Sequence, residues 1–270
     1  MSLSPLIEFD SECVNLLNGA PRTHSVHCFR SALYHLERSE ALRDVDPAMA
    51  GFRAITSEEE AASGLIRCLQ ELGYARSKEL NPHDHVHKHA LYPFLEIIGS
   101  FFSETLGRIF TSFELRIEEV EGKQRLRLAT EMQTEAGPLR AYPIPPLGFT
   151  VRDGVTKQPI DYAIQIDGFI KANGASSIRE FLKGEANFRN RLLYANPNGY
   201  PTVERLGESF ILIRRQRVMV MLKAFLLLYP YSEHQLYASQ AVASLADLLS
   251  QIKRPRLTKP GAVFSEEGKP

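Results

Sequence analysis

Between Arg22 and Arg43 the apolar positions Cys28, Ala32, Leu33, Leu36 and Leu42 recur at mixed three- and four-residue steps, which predicts an amphipathic helix. Asp46-Pro47 predicts a second helix start, because the carboxylate can cap and a proline at the first helical position forfeits no hydrogen bond. Thr56-Ser57-Glu58-Glu59-Glu60 contains overlapping capping boxes and predicts a further start, with Ala62, Leu65, Ile66, Leu69 and Leu72 facing inward. Asn81-Pro82 opens another helix that runs through a group of histidines to Leu91, Phe94, Leu95, Ile98 and Phe101. The first hundred or so residues therefore read as helical throughout.

From Thr111 the period changes. Phe113, Leu115 and Ile117 alternate with Glu114, Arg116 and Glu118, and Leu126, Leu128, Thr130 and Met132 repeat the alternation after Gly122-Lys123, as expected for a β-hairpin with one wet face. Pro138 to Pro146 reads as extended, and Asp161 to Lys171 alternates again through Tyr162, Ile164 and Ile166, so three or four antiparallel strands are expected between 111 and 171. Ser177-Ile178-Arg179-Glu180 is another capping box, starting a helix through Tyr194. After the turn cluster Asn196 to Pro201, two helices are expected at Val203 to Tyr229 and Glu233 to Ile252, with a disordered tail from Lys253.

The fold class that follows is α+β and helix-dominated, a helical bundle with an inserted small antiparallel β-sheet. Residues 1–110 form an N-terminal helical part, 111–171 the β insert, 172–252 a C-terminal helical part packing on the first, and 253–270 the tail. The apolar faces of Val218 to Tyr229 and Leu236 to Leu249 suggest a homodimer.

Charge changes the picture little. Lys plus Arg and Asp plus Glu each number 32, so no global field draws the chain to nucleic acid or anionic lipid. Arg outnumbers Lys by 22 to 10, which favours local forked recognition of phosphate. Cys13, Cys28 and Cys68 are widely spaced in helical sequence and read as reduced core thiols. Met1 to Glu12 has no basic stretch ahead of an apolar one, and Val218 to Tyr229 falls well short of the roughly 20 residues of a membrane span. A cytoplasmic protein with no membrane partner is expected. Walker, GxGxxG, GxSxG and kinase patterns do not occur, which removes the familiar nucleotide-driven and hydrolase readings.

Three groups of residues could carry chemistry. His83-Asp84-His85-Val86-His87-Lys88-His89 places His85 and His89 one turn apart, a pair that could ligate zinc or nickel given a third ligand. The simpler reading is a polar, exposed first helical turn, with Asp84 and Lys88 paired at the surface and no cofactor. Arg189, Arg191, Arg214 and Arg215 surround Tyr194 and Phe210 and could receive single-stranded RNA by phosphate contact and stacking, or serve solubility alone. Arg22 to His27 and Arg30 to His35 both follow an Arg-x4-His pattern.

That pattern resembles the signature of HEPN-type helical ribonucleases, in which the Arg and His of two protomers act on the RNA backbone without metal. The resemblance implies Arg30 and His35, within one predicted helix, as the active pair. Arg53-Ala54-Ile55-Thr56-Ser57-Glu58-Glu59-Glu60-Ala61-Ala62 followed by His85-Val86-His87-Lys88-His89 is similar to the helical domain of abortive-infection AbiV-type proteins. It implies Glu59 and Glu60 as buried ligands or bases meeting those histidines, against their bland reading as a solvated cap favoured by the helix dipole. Three functions follow: a defence- or toxin-like protein acting on RNA through Arg30, His35 and Glu59, a metal-dependent hydrolase built on His85 and His89, and a non-catalytic module whose β insert binds a protein partner.

Overall fold

The computed structural model describes residues 6–104, 107, 110, 112–160, 162–195, 199, 200 and 202–253. Among them the chain forms α1 (Glu8–Asn18), α2 (His24–Leu42), α3 (Pro47–Glu71), α4 (His85–Glu104), β1 (Ser112–Val120), β2 (Lys123–Thr134), β3 (Gly137–Ala141), α5 (Ala163–Ala172), α6 (Ile178–Leu193), α7 (Glu208–Leu228) and α8 (Leu236–Lys253). The protein is a helix-dominated α+β fold with one small antiparallel sheet. No helix of the described residues is long and apolar enough to cross a membrane.

Local chemistry sets half of the helix starts. Thr23 Oγ1 accepts from the Val26 amide, Asp46 from Met49 with Pro47 at the first position, and Ser177 from Glu180. The break expected at Thr56 does not occur, and α3 runs unbroken for 25 residues. The Thr56 hydroxyl donates back to the Phe52 carbonyl and that of Ser57 to Ala54, so both bond within the helix instead of capping a new one. The helix expected from Asn81-Pro82 begins at His85, where the Asp84 carboxylate accepts from the Val86 amide.

One core joins the first and last thirds of the chain. Phe29 on α2, Ile66 on α3, Phe225 on α7 and Leu249 on α8 are all buried in it. Phe29 stacks at a tilt on Phe225 with ring centroids 4.8 Å apart, and Gly64 of α3 admits the ring: a Cβ there would stand 2.8 Å from Phe29 Cδ2. The second half of α7, from Val218, is buried on most sides. Cys13, Cys28 and Cys68 are buried free thiols, and burial pushes the first two up to about 11.

The sheet has the order β1-β2-β3. Leu115 lies opposite Leu128 and Ile117 opposite Leu126, so the alternation puts one apolar face on the helices. Glu121 and Gly122 turn the hairpin with positive φ angles of 54° and 74°, matching the strand twist. The fourth strand expected at Asp161 to Lys171 is instead α5. Ile166, Phe169 and Ile170 share a helical face, Phe169 packs edge-on against Phe181 of α6, and Ile164, read as inward, is exposed. Thr111, Asp161, most of the Asn196 to Pro201 turn and the tail after Lys253 lie outside the described residues.

Candidate functional site

Four helices each bring charged residues to one point. α3 contributes Glu58 and Glu59, and α4 contributes His85, Lys88 and His89 at helical spacing. α6 adds Glu185 and Arg189 one turn apart, and α7 adds Arg214 and Arg217. Glu58 and Glu59 are only 2% and 3% exposed, so their charges must be matched from within the protein.

Glu59 is matched on both oxygens. Its Oε1 lies 2.8 Å from His85 Nδ1 and 3.3 Å from His89 Nε2, the latter close enough for an ion pair but off hydrogen-bond alignment. Its Oε2 accepts from Lys88 Nζ at 2.9 Å and Arg189 Nη1 at 3.5 Å. Burial pushes the Glu59 carboxyl up, but the adjoining His89 imidazole and Lys88 ammonium outweigh it and hold the group well below the usual carboxylate range. Beside it, Arg214 and Arg217 bridge Glu58 to Glu185. Arg214 Nη1 donates to Glu58 Oε2 and, at 3.1 Å, to Glu185, and Arg217 Nη1 reaches Glu185 at 3.0 Å. Burial raises the Glu185 carboxyl, and the two guanidiniums override it and lower it.

The centre therefore sets three carboxylates against four basic side chains and two imidazoles. An ionised Glu59 only accepts, so His85 donates to it from Nδ1, and in the neutral ring Nε2 is then the acceptor nitrogen. The His85 side chain is 41% exposed and Arg189 is part-exposed, so these two form the rim through which solvent meets the buried charges. Chemically this is an oriented imidazole backed by a buried carboxylate, with a guanidinium alongside.

The predicted residues divide. Glu59, His85 and His89 come together, so the solvated-cap reading of Glu59 does not fit, and the exposed-turn reading holds for His83 and in part for His85 but not for His87 and His89. His87, Lys88 and His89 are buried, and Lys88 pairs with Glu59 instead of Asp84. Glu60 points toward α2, where its charge acts on His35. Arg30 and His35 have separate partners: Arg30 donates to the Asn18 carbonyl at 3.2 Å, and Arg53 Nη1 donates to His35 Nδ1 at 3.1 Å. Burial and the Arg53 charge hold His35 below the ordinary histidine value.

Arg189 belongs to the centre, and Arg191 is exposed on α6 over the Phe188 ring. Arg214, expected at an RNA surface, is buried on Glu58, and Arg215 lies 3.9 Å from Glu40. Sequence reasoning missed Glu58, Glu185 and Arg217 as members. The available signal was Arg214 and Arg217 at three-residue spacing just ahead of the apolar run from Val218, where a buried charge requires partners.

A zinc or nickel ion on His85 and His89 would draw on Glu59 as third ligand, but Lys88 and Arg189 already neutralise that carboxylate, so this donor set does not suit a dication. Among the described residues no group of three or more His, Cys, Asp or Glu side chains is arranged to hold a metal. Compared with known protein families, curated proteins and solved structures, the chain matches none of them. The fold and site together define a helix-dominated α+β protein with a buried, multi-helix ionic centre opening to solvent at His85 and Arg189.

Proposed function

We propose that the protein cleaves single-stranded RNA by general acid–base chemistry at His85. The observation that carries this reading is the contact of His85 Nδ1 with the buried Glu59, which fixes the imidazole tautomer and turns Nε2 into a base at the protein surface. His85 Nε2 takes the proton of a 2′-hydroxyl, the 2′-oxygen attacks phosphorus, and the 5′-oxygen departs with a proton returned through solvent. The product is a 2′,3′-cyclic phosphate. Arg189, at the rim, offsets the extra charge of the phosphorane. The two stretches that resemble the abortive-infection proteins are the ones that meet here, which supports a defence- or toxin-like role.

The test is cleavage of mixed cellular RNA by tag-free protein in EDTA, with His85→Ala and His35→Ala alongside wild type. Cleavage lost in His85→Ala and kept in His35→Ala supports the reading. Loss in His35→Ala alone moves the chemistry to Arg30 and His35, and cleavage abolished by EDTA itself favours a metal-dependent enzyme.

A further inference from the structure

A cavity of about 660 Å3 lies between α3, α4, α7, α8 and the inner face of the sheet, and it shares no residue with the ionic centre. Apolar cavities of this size are the ordinary form of a small-molecule site. Phe94 and Phe102 of α4, Leu128 of β2, Leu227 of α7 and Val242 and Leu245 of α8 supply most of its wall. Such a lining offers water few of the two to four partners it needs, so the space suits hydrocarbon better.

The polar groups of the wall narrow the ligand further. Lys223 is the single charged side chain lining the cavity among the described residues, and its Nζ is paired with Asp10 at 2.7 Å. The Tyr237 hydroxyl is hydrogen-bonded to that of Tyr162, also at 2.7 Å. Among the described residues, an anionic head group would therefore find no uncommitted cation inside. At Leu95, Gly99, Ser103 and Val220 the cavity adjoins a shallower groove on α4. Tyr92, Glu96, Ser100 and Glu104 line that groove, offering hydroxyls to a neutral head and two carboxylates that repel an anion.

The geometry points to a binding site for one uncharged, lipid-sized amphiphile of the long-chain alcohol or acylglycerol class, its chain in the cavity and its hydroxyl head in the Tyr92–Ser100 groove. The cavity shares no residue with the proposed ribonuclease centre, and the groove meets it where Arg217 packs over the Tyr92 ring.

The test is a fluorescence titration with the neutral probe N-phenyl-naphthylamine, followed by competition with dodecanol and with dodecanoate. Saturable binding of one equivalent is expected, with dodecanoate competing roughly tenfold or more weakly than dodecanol because its carboxylate would be desolvated without a partner. Gly99 stands where cavity and groove meet, and a Cβ there would meet nothing within 4 Å, so Gly99→Phe should fold and block the site. Ala241→Phe fills the wall from α8. Both variants should keep a cooperative melt and lose binding by roughly tenfold or more. Absence of saturable binding by wild type, equal competition by dodecanol and dodecanoate, or unchanged binding in both folded variants would overturn the assignment. The competition arm uses wild type alone and decides even where a variant fails to fold.

Discussion

Replacing Glu59 by Ala removes the one anion that Lys88 Nζ and the two imidazoles share, while Lys88 and His89 stay 9% and 2% exposed. An ammonium left in that position keeps its desolvation penalty and loses its counter-charge. Breaking a buried pair from one side in this way costs about 3–5 kcal/mol. Arg189, being part-exposed, can turn to solvent and softens the loss. For a chain of this size each kcal/mol lowers the melting midpoint by about 2–4 °C, so Glu59→Ala should melt on the order of 10 °C below wild type. Urea unfolding followed by circular dichroism, on wild type, Glu59→Ala, Lys88→Met and the double variant, measures the pairing directly. The double variant carries no unmatched ammonium and should be less destabilised than the sum of the singles by about 1–3 kcal/mol. A Glu59→Ala protein within about 1 kcal/mol of wild type, or singles that add within about 0.5 kcal/mol, would refute the picture of a buried ionic centre.

Acid should weaken the same centre. The Glu59 and Glu185 carboxyls sit below the ordinary value of 4.5 in the folded protein, so the unfolded chain takes up protons first as the pH drops. Their stabilisation is complete above about pH 5 and is lost as pH falls through 4.5 toward the folded values, and Glu59→Gln should show a shallower acid limb in melts at stepped pH. Two glycines should respond oppositely to alanine in the same melts. Gly64→Ala drives a methyl to within 2.8 Å of the Phe29 ring and 3.1 Å of the Ser25 carbonyl, with an expected loss of about 1–3 kcal/mol. Gly99→Ala, with open space beyond its Cβ in an exposed turn of α4, should gain about 0.5–1 kcal/mol from helix propensity, and a loss there would contradict the described surroundings.

Much of the fold was legible because its signals are local. The Asp46 and Ser177 caps, the strand alternation from Phe113 to Met132 and the run of apolar residues after Val218 each sit within a few residues of what they specify. Local signals also misled. The hydroxyls at Thr56 and Ser57 resemble a cap unless the preceding turn is known to be helical, and a two-residue alternation over Tyr162, Ile164 and Ile166 is too short to exclude a helix. α1 carries no side-chain cap and was not anticipated.

The ionic centre was legible only in part, because its partners are distant in sequence. Glu59 and His85 are 26 residues apart, Glu59 and Arg189 are 130 apart, and Glu58 and Arg214 are 156 apart. A run of three glutamates followed by a histidine cluster looks like solvated surface until a neighbouring helix covers it. The meeting of Glu59 with the histidines was an expectation drawn from a resemblance alone, whereas Glu185 and Arg217 carried no signal beyond their spacing.

In the proposed reaction His85, oriented by Glu59, takes the proton of a 2′-hydroxyl. The most direct test of this step is the cleavage of one labelled single-stranded RNA and of the same strand carrying 2′-deoxy at the scissile position, in EDTA, by wild type and His85→Gln. Wild type should cut the ribose strand to a 2′,3′-cyclic phosphate and leave the deoxy position intact, with His85→Gln slower by about 100-fold or more. Cleavage at the deoxy position, an undiminished His85→Gln rate, or no cleavage by wild type would contradict that role of His85.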